Sequence, residues 1–407
     1  MEKQKKIPML RFPEFDGKWE KIKFSNCISL YRGSSPRPIN KYITSQSDGI
    51  NWIKIGDTQL TENYIIKEVS EKITLKGSLK SRFVKKGELI LANSMSFGKA
   101  YLLELDGCIY DGWFVLRDYE HYFNKGYLLQ LLNSSYLQKQ YRRLSAGGVV
   151  HNISSDIVYS TLLIKPEIPE QQKIASFFTA IDQKISQLKR KKNLLEQYKK
   201  GVMQKIFSQE IRFKDDNGQE FPKWEKKKLG MLCKIVGGGT PYTNIMEYWN
   251  GEIQWFTPTE IKSNYVSNSE RTISELGLKK SSAKKLPVGT ILLTTRATIG
   301  DCAIAEKECA TNQGFQSLIV NPDANNYFLL NWLRMYKKEL IRRANGSTFL
   351  EISKYEIENI PLLSPSFHEQ TKIANFLSAI DDKINHTQKQ IEKAEVWKKG
   401  LMQQMFV

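Results

Sequence analysis

Two polar loops, each following a short apolar run, carry the side chains best suited to reading a hydrogen-bonding surface. The later loop reads TTRATIG and the earlier one reads NSMSFGK. An arginine fork matches the two acceptors of guanine, and an asparagine amide matches the edge of adenine. We therefore predict base contacts, with the alternative of ordinary polar loop tips left open. The residues concerned are Asn93, Ser94, Ser96 and Lys99 in the earlier loop, and Thr295, Arg296 and Thr298 in the later one.

Two glycine- and proline-containing turns form a second set of candidate contacts. The segments Arg32–Pro38 and Gly238–Thr243 combine these residues with hydroxyl, aromatic and guanidinium groups. Phosphate clamping and base reading are one interpretation, and plain turn chemistry explains Gly and Pro equally well. The side chains singled out in these turns are Arg32, Arg37, Thr240 and Tyr242.

Two arginine pairs, Arg142-Arg143 and Arg342-Arg343, each precede a glycine-containing loop. They suit phosphate contacts that position a protein on a duplex, although charges at a helix end are often only a solvated cap. The loops after them hold further polar residues that could reach bases, namely His151, Asn152 and Ser347.

Catalytic signatures are missing from the sequence. It contains no GxxxxGK[ST] phosphate loop, no [DNS]PP[YF] stretch and no credible nucleophilic triad. Pro322-Asp323 lacks the acidic-x-Lys partner of a nuclease motif and is better read as a turn. Five cysteines form no CxxC pair and four histidines are scattered, so neither a zinc site nor a disulfide framework is expected. We predict a chain that is not an enzyme by itself and holds no metal.

The charge balance points to a polyanionic partner. The 407 residues carry 61 Lys and Arg against 43 Asp and Glu, a formal net charge of +18. Neutralising nucleic-acid phosphates releases condensed counterions, so nucleic acid is the natural candidate. The N-terminus is charged without a following apolar run, and no stretch approaches the roughly 20 apolar residues of a membrane span. We expect a cytoplasmic protein.

An internal repeat in the sequence predicts the elements that position these loops. Residues 170–207 and 369–406 agree at 18 of 38 ungapped positions. Apolar residues recur in each copy at alternating steps of three and four, which predicts a long coiled-coil helix. Each helix would span roughly 57 Å at about 1.5 Å per residue. Antiparallel pairing of the two helices within one chain is favoured over homodimerisation.

The repeat extends outside the helices and defines the order of the chain. Arg11 and Trp19 are echoed by Arg212 and Trp224 ahead of the second module. Short β-like runs alternate with helical ones, so we predict an α+β fold with pseudo-two-fold symmetry. The predicted segments are a first module at 1–168 with a lead-in at 1–20, a helix at 169–207, a linker at 208–224, a second module at 225–367 and a helix at 368–407.

Taken together, these motifs resemble the DNA-specificity subunits of type I restriction–modification systems. The resemblance rests on RFPEFDGKWE, GGGTP, TTRATIG, the IPEQQKIASFFTAIDQKI helix opening and the doubled KKG ending, and it covers essentially the whole chain. The first module departs from the pattern, with RGSSPRP in place of the GGTP turn and NSMSFGK in place of TTRATIG. Transfer of residue roles is therefore weaker in the first module.

The resemblance implies a function, partners and cofactors. Each module would be a target recognition domain for one half of an asymmetric bipartite site on double-stranded DNA. The helices would set the spacing and dock two methyltransferase subunits, and through them restriction subunits. S-adenosylmethionine, ATP and Mg²⁺ would belong to those partners, with no cofactor in this chain. The helix positions expected at the docking faces are Lys199, Lys200, Lys398 and Lys399.

Two other classes of function compete with this interpretation. One is a coiled-coil adaptor that does not read DNA, which the +18 charge and the polar loops disfavour. The other is a component of a nuclease–methylase fusion, against which the absent catalytic motifs argue. The target sequence and the spacer length do not follow from the residues, because recognition also depends on loop geometry and DNA shape.

Overall fold

The computed structural model describes residues 8–94, 98–145, 153–296, 298–345 and 350–406. The chain divides into two compact units. Unit 1 contains Met1–Lys191 and Thr387–Val407, and unit 2 contains Lys192–His386. Each unit therefore combines one module with a part of each long helix, so the units cut across the linear segments predicted from the sequence.

The elements of the first module are short strands followed by short helices. Its strands are β1 Glu20–Lys23, β2 Ser29–Arg32, β3 Ile43–Thr44, β4 Ile50–Ile53, β5 Ile65–Ile66, β6 Glu71–Ile73, β7 Arg82–Val84, β8 Leu89–Ala92, β9 Ala100–Leu103, β10 Gly107–Ile109, β11 Trp113–Arg117 and β12 Leu162–Lys165. Its helices are α1 Leu75–Ser78, α2 Lys125–Asn133, α3 Ser135–Ser145 and α4 Ser155–Tyr159.

Two mixed sheets form the body of this module in the described part of the chain. Their strand orders are β3-β6-β4-β10-β7 and β2-β11-β8-β9-β5. The GELILA run at residues 87–92 contains β8, which pairs antiparallel with β11 and places Leu91 opposite Phe114. Strand β1 pairs antiparallel with β12, so the start of the module lies beside its end.

The second module repeats this order after a 40-residue helix, α5 Ile168–Phe207. Its strands are β13 Glu225–Lys228, β14 Cys233–Gly237, β15 Trp249–Phe256, β16 Tyr265–Val266, β17 Arg271–Ile273, β18 Ile291–Thr294, β19 Cys302–Ala305, β20 Cys309–Thr311, β21 Phe315–Val320 and β22 Pro361–Ser364. Its helices are α6 Glu275–Lys279, α7 Asn326–Met335, α8 Lys337–Arg343 and α9 Lys354–Glu358, and the last helix is α10 Phe367–Met405.

The sheets of the second module have orders β14-β21-β18-β19-β16 and β17-β15-β20, with β13 paired to β22. Equivalent helices in both modules begin with the same type of cap. Asn124 accepts the amide of Tyr127 at the start of α2, and Asn325 accepts that of Phe328 at the start of α7. Asparagine side chains satisfy the free N–H groups of a helix start, which fixes where each of these helices begins.

Helices α5 and α10 run antiparallel within each unit, as predicted. In unit 1, Asp182 and Lys189 of α5 pair with Lys398 and Glu395 of α10, so later residues of one helix meet earlier residues of the other. In unit 2, Lys199 of α5 pairs with Asp381 of α10 at 2.6 Å. The predicted mixed α+β class and the long helix pair are both confirmed.

Each core joins both helices to a module. In unit 1, Phe178 of α5 stacks on Phe406, which directly follows α10, at 5.9 Å between ring centroids, and Tyr127 of the module lies 5.6 Å from Phe406. In unit 2, Phe207 of α5 packs against Phe328 of α7 at 5.5 Å. Trp52, Trp113, Trp224, Trp255 and Phe315 are buried, and Trp19 is half-buried.

Candidate nucleic-acid interface

Three loop segments of unit 1 meet at one edge of the module. The turn after β2 is held by backbone hydrogen bonds from Gly33 to Trp113 and from Ser34 to Ile109, at 2.8 and 3.1 Å. The loop after β8 is held by a bond from the Asn93 amide to the Gly112 carbonyl at 3.0 Å. The segment that follows β10 therefore connects two loops that are far apart in sequence.

Unit 2 brings together the equivalent three segments. The Gly239 amide donates to the Thr311 carbonyl at 2.8 Å, and the Thr295 amide donates to the Gly314 carbonyl at 2.7 Å. The turn after β14 and the loop after β18 thus flank the segment after β20. The backbone hydrogen bonds that join these three segments are thus equivalent in the two units.

A side-chain hydrogen bond ties each turn to the segment beside it. Ser35 donates to the Asp111 carboxylate, and Thr240 donates to the Gln313 side chain at 2.5 Å. The bond from Ser35, assisted by the charge of Arg37, lowers the pKa of Asp111 below its ordinary value. Asp111 and Gln313 were not singled out from the sequence, although both directly precede a glycine in their loops.

Two equivalent glycines allow the tight loops after β8 and β18. Gly98 has φ +69°, and an added Cβ would lie 2.6 Å from the ring of Tyr141. Gly300 has φ +87°, and its Cβ would lie 2.8 Å from Lys337 Cγ. Left-handed backbone strongly favours glycine, so the unlike NSMSFGK and TTRATIG segments both place a glycine at a left-handed position.

The side chains exposed along the two edges differ in chemistry. In unit 1, Arg37 is 81% exposed and its guanidinium lies 3.6 Å from Asp111. Arg32 is exposed and donates to the Asp111 carbonyl at 3.2 Å, while Ser94 is half-buried beside the Tyr110 hydroxyl. In unit 2, Tyr242 is 71% exposed, and Arg296 forms a 2.8 Å ion pair with Glu351.

Two of the predicted base-contacting residues are buried, and a third is half-buried. Asn93 is 4% exposed, and its amide donates to the Asp111 carbonyl at 3.0 Å. Thr295 is fully buried, and its hydroxyl donates to the Gly314 carbonyl. Thr298 is half-buried and accepts, through its carbonyl, a hydrogen bond from Thr294. The buried Asn93 and Thr295 hold the loops in place, so their assignment as exposed reading groups is corrected, whereas base contact by Thr298 stays a prediction.

The predicted basic contacts divide into free and engaged groups. Lys99 is half-buried, and desolvation, together with the charge of Arg142, lowers the pKa of its ammonium group. Arg142 and Arg143 are exposed at the end of α3. At the end of α8, Arg342 and Arg343 both bond Glu339. The predicted positions Ser96, His151, Asn152 and Ser347 lie outside the described residues.

Of the four expected docking lysines, only two face outward. Lys199 and Lys398 have side chains only 12% and 13% exposed, each paired with an aspartate of the other helix. These two assignments are corrected, because their ammonium groups join α5 to α10 inside a unit. Lys200 and Lys399 are exposed.

The beginning of each long helix holds a buried carboxylate that sequence reasoning did not recognise as functional. Glu170 accepts hydrogen bonds from Arg11 and from the Trp19 ring nitrogen, and Glu369 accepts them from Arg212 and Trp224. The carboxylates are 2% and 0% exposed. These repeated arginine and tryptophan residues therefore hold the segment before each module against the start of the long helix that follows that module.

Within the described residues, no group of three or more His, Cys, Asp or Glu side chains is arranged to hold a metal ion. The same residues include no helix long and apolar enough to cross a membrane.

A family model described as "Type I restriction modification DNA specificity domain" matches residues 18–197 and again residues 222–396. The chain belongs to this family. Each match to the specificity-domain family covers one module and most of the long helix that follows it, which confirms the repeat unit predicted from the sequence.

Relatives of this specificity-domain chain include two subunits from Methanocaldococcus jannaschii. The type I restriction enzyme MjaIX specificity subunit is 39% identical over 198 residues, which are 46% of this chain and 45% of that relative. The chain thus matches less than half of the relative's length. The MjaVIII specificity subunit is 22% identical over 98% of this chain and 93% of its own.

The fold is similar to a solved chain from work on complex assembly and conformational transition of the type I R-M system. That likeness has a TM-score of 0.61 at 19% identity and covers 95% of this chain and 97% of the other. At this identity it concerns the specificity-domain fold alone.

Proposed function

We propose that this chain is the non-catalytic DNA-specificity subunit of a type I restriction–modification complex. The observation that supports it most is the pair of matching loop edges with unlike exposed side chains. One edge offers Arg32 and Arg37, and the other offers Tyr242 and Arg296. A common framework with different donors suits two modules that read different half-sites, which makes the target bipartite and asymmetric.

The helix pair supplies docking faces for two copies of one methyltransferase subunit. Tyr198 and Trp397 occupy equivalent positions of the helix repeat and are 54% and 55% exposed. Each lies two residues before an exposed lysine, Lys200 or Lys399. Exposed aromatic residues are frequent anchors of protein interfaces. Restriction subunits join through the methyltransferases, and S-adenosylmethionine, ATP and Mg²⁺ are bound by these partners.

Co-expression with a matching methyltransferase subunit, followed by genome-wide mapping of methylated adenine, tests this function. New marks at a split asymmetric sequence are expected. A chimera in which residues 286–301 come from another family member should change one half of that sequence and leave the other half intact. Absence of new marks with a competent partner, or a simultaneous change of both halves, would refute the assignment.

A further inference from the structure

A cavity of about 870 Å³ opens beside the turn after β2 in unit 1. Trp52 and Tyr110 both line it, with their ring planes inclined by 71° and their centroids 6.5 Å apart. Ile43 also lines it and is 44% exposed. Lys54 and Glu71 add an ion pair of 2.5 Å to the lining. The cavity therefore combines aromatic rings with one hydrogen-bonding group of each charge.

In unit 2 a tryptophan stands at the position that Ile43 has in unit 1. Ile73 of β6 lies opposite Ile43 of β3, and Ile273 of β17 lies opposite Trp249 at the start of β15. Because the two sheets use the same pairing here, Ile43 and Trp249 are equivalent in the repeat.

The residues around these two positions correspond as well. Trp52 lies opposite Glu71 in unit 1, and Trp255 lies opposite Arg271 in unit 2. One aromatic residue is thus kept in both units, whereas a carboxylate in unit 1 takes the place of a guanidinium group in unit 2.

The Trp249 indole packs among these groups in unit 2. Its ring meets that of Trp255 edge to face at 5.1 Å between centroids, and the Arg271 guanidinium lies 3.6 Å from its own centroid. The Trp249 ring nitrogen donates to the Tyr242 carbonyl at 3.1 Å. Unit 2 therefore holds a flat heteroaromatic ring of its own chain where unit 1 has only the smaller Ile43.

Trp52 also has a hydrogen-bonding group to offer. It is 2% exposed, and its ring nitrogen donates no hydrogen bond within the described part of the chain. The equivalent nitrogen of Trp255 donates to the Gly239 carbonyl at 2.9 Å. A donor shielded from water is costly to leave without an acceptor, so an acceptor on a molecule in the cavity would be favoured.

We propose that this cavity holds one unstacked base of the bound DNA, a base that carries an exocyclic amino group. Its ring would take the place that the Trp249 indole has in unit 2. Its amino group would donate to Glu71, and an acceptor on the same edge would receive Trp52 or Lys54. Flipped bases are commonly held in this way, by aromatic side chains and by hydrogen bonds to their pairing edge. Thymine lacks the amino group and is excluded.

The position of the cavity selects DNA as the source of the base. Arg37 lines the cavity and belongs to the loop edge assigned above to DNA. Its guanidinium is 81% exposed and suits a phosphate of the displaced nucleotide. The inference rests on the proposed DNA-specificity function and adds to it a base taken out of the duplex by unit 1 alone.

A mismatch scan of the complex with its methyltransferase subunits tests the proposal. Each base of the methylated target sequence is opposed in turn by a mismatched partner, and the affinity of each duplex is measured. Because a mismatch removes the cost of unpairing, one position of one half-site should bind about tenfold more tightly. Ile43→Trp, which places in unit 1 the indole that unit 2 already has, should abolish this gain. Leu79→Trp, at an exposed residue outside the cavity, should keep it.

Positions at which a methyltransferase subunit extrudes its own target base provide an internal control, since their gain should persist in Ile43→Trp. The other half-site should contain no position that depends on Ile43. If every gain is equal in the unaltered complex and in Ile43→Trp, the proposal is overturned. Loss of all sequence preference in the unaltered complex would instead refute the DNA-specificity function itself.

A second variant tests the hydrogen-bonding group of the cavity. Glu71→Gln should reduce the gain at the same position, whereas Glu68→Gln, at an exposed carboxylate outside the cavity, should not. Equal effects of the two variants would contradict the role of Glu71. Thermal melting of each variant separates loss of binding from loss of folding.

Equilibrium dialysis with AMP in the absence of DNA separates the two sources of a base. We expect no retention of AMP at micromolar concentration, because the proposed base arrives tethered to a bound duplex. Retention that Ile43→Trp removes would make the cavity a site for free nucleotides and would overturn its assignment to DNA.

Discussion

At the scale of single residues, the arginines of the two loop edges form ion pairs with carboxylates of their own unit. Arg296 lies 2.8 Å from Glu351, and Arg37 lies 3.6 Å from Asp111. Both guanidinium groups keep substantial exposure, so the ion pairs orient them without removing them from solvent. An arginine held in this way has fewer conformations to lose when it meets a base.

Replacement of Arg296 by alanine should weaken binding by about 1–3 kcal/mol at sequences with guanine at one position of the target. The measurement is binding of duplexes with single base changes at fixed salt. Glu351→Gln serves as the matched variant, because it releases the arginine and should retain the preference. A loss of equal size on every duplex would instead identify Arg296 as a phosphate contact.

Glu339 controls how much positive charge the end of α8 presents. The bonds from Arg342 and Arg343 lower the pKa of Glu339 to about 2. Because this folded-state pKa is depressed, the interaction is fully present above the ordinary value of 4.5 and is lost as pH falls toward about 2. Both arginines therefore remain paired at neutral pH.

Substitution Glu339→Gln should free Arg342, while Arg343 keeps its 3.2 Å ion pair with Glu356, and it should strengthen non-specific DNA binding. The plot of log affinity against log salt should steepen by about one unit for each added phosphate contact. Glu358→Gln is the control, since it removes another surface carboxylate of unit 2, one that pairs with Lys354. Equal slopes for both variants would exclude a phosphate contact by the released Arg342.

At the scale of elements, one aspartate in each unit joins the helix pair to its module. Asp381 of α10 accepts Lys199 of α5 at 2.6 Å and Asn264 of the module at 3.0 Å, and Tyr327 also donates to it. In unit 1, Asp182 accepts Lys398 at 2.5 Å and Gln130 at 3.4 Å. The aspartate of the AID motif in one helix and the first lysine of the KKG motif in the other helix therefore form a buried ion pair in each unit.

Asp381→Asn should lower the free energy of unfolding of unit 2 by about 3 kcal/mol, because it leaves a desolvated ammonium without its counter-charge. Desolvation already lowers the pKa of Lys199, and the bond to Asp381 opposes that shift. Asp382→Asn is the control, since the carboxylate of this neighbouring residue is exposed. Calorimetry that finds the same melting temperatures for both variants would contradict this role.

The exposed aromatic residues of the helices test the docking model. Tyr198→Ala and Trp397→Ala should each reduce the methyltransferase content from two subunits per chain to one, and the double variant should bind none. Native mass spectrometry of the reconstituted complex measures this directly. Val396→Ala, at a more exposed neighbour, should keep both subunits. Retention of two subunits by the double variant would place the docking faces elsewhere.

At the scale of the whole molecule, unit 1 joins two separate stretches of the chain, whereas unit 2 is continuous. The end of α10 belongs to unit 1, where Leu401, Met405 and Phe406 complete the core of the first module. The amide of Leu10 also bonds the carbonyl of Gln404 at 3.2 Å. Residues from both ends of the sequence therefore stabilise the same unit.

Phe406→Ala should destabilise unit 1 by about 3–5 kcal/mol, because a fully buried ring is lost next to Phe178 and Tyr127. Hydrogen exchange should show faster opening of residues 20–165, with residues 225–364 unchanged. Met402→Ala, at a half-buried neighbour, should produce a much smaller effect. Equal opening of both modules would show that the chain unfolds as one cooperative body.

The sequence by itself determined the repeat, the helix pair and the α+β modules. A 3.5-residue apolar period predicts the helices wherever they pack, and the glycines of the loops after β8 and β18 mark conformations that other residues rarely adopt. It also identified Arg32, Arg37, Arg296 and Tyr242, which are exposed in the structure. Such features depend on neighbours in the chain, so local patterns are sufficient to recognise them.

Only the tertiary structure decided which polar residues face inward. Asn93 and Thr295 resemble exposed loop residues in the sequence, yet each is buried against a carbonyl more than 15 residues away. Lys199 and Lys398 resemble surface charges, yet each meets an aspartate from the other helix copy. A polar group enters the interior only when a distant partner compensates its desolvation, and the identity of that partner follows from the fold alone.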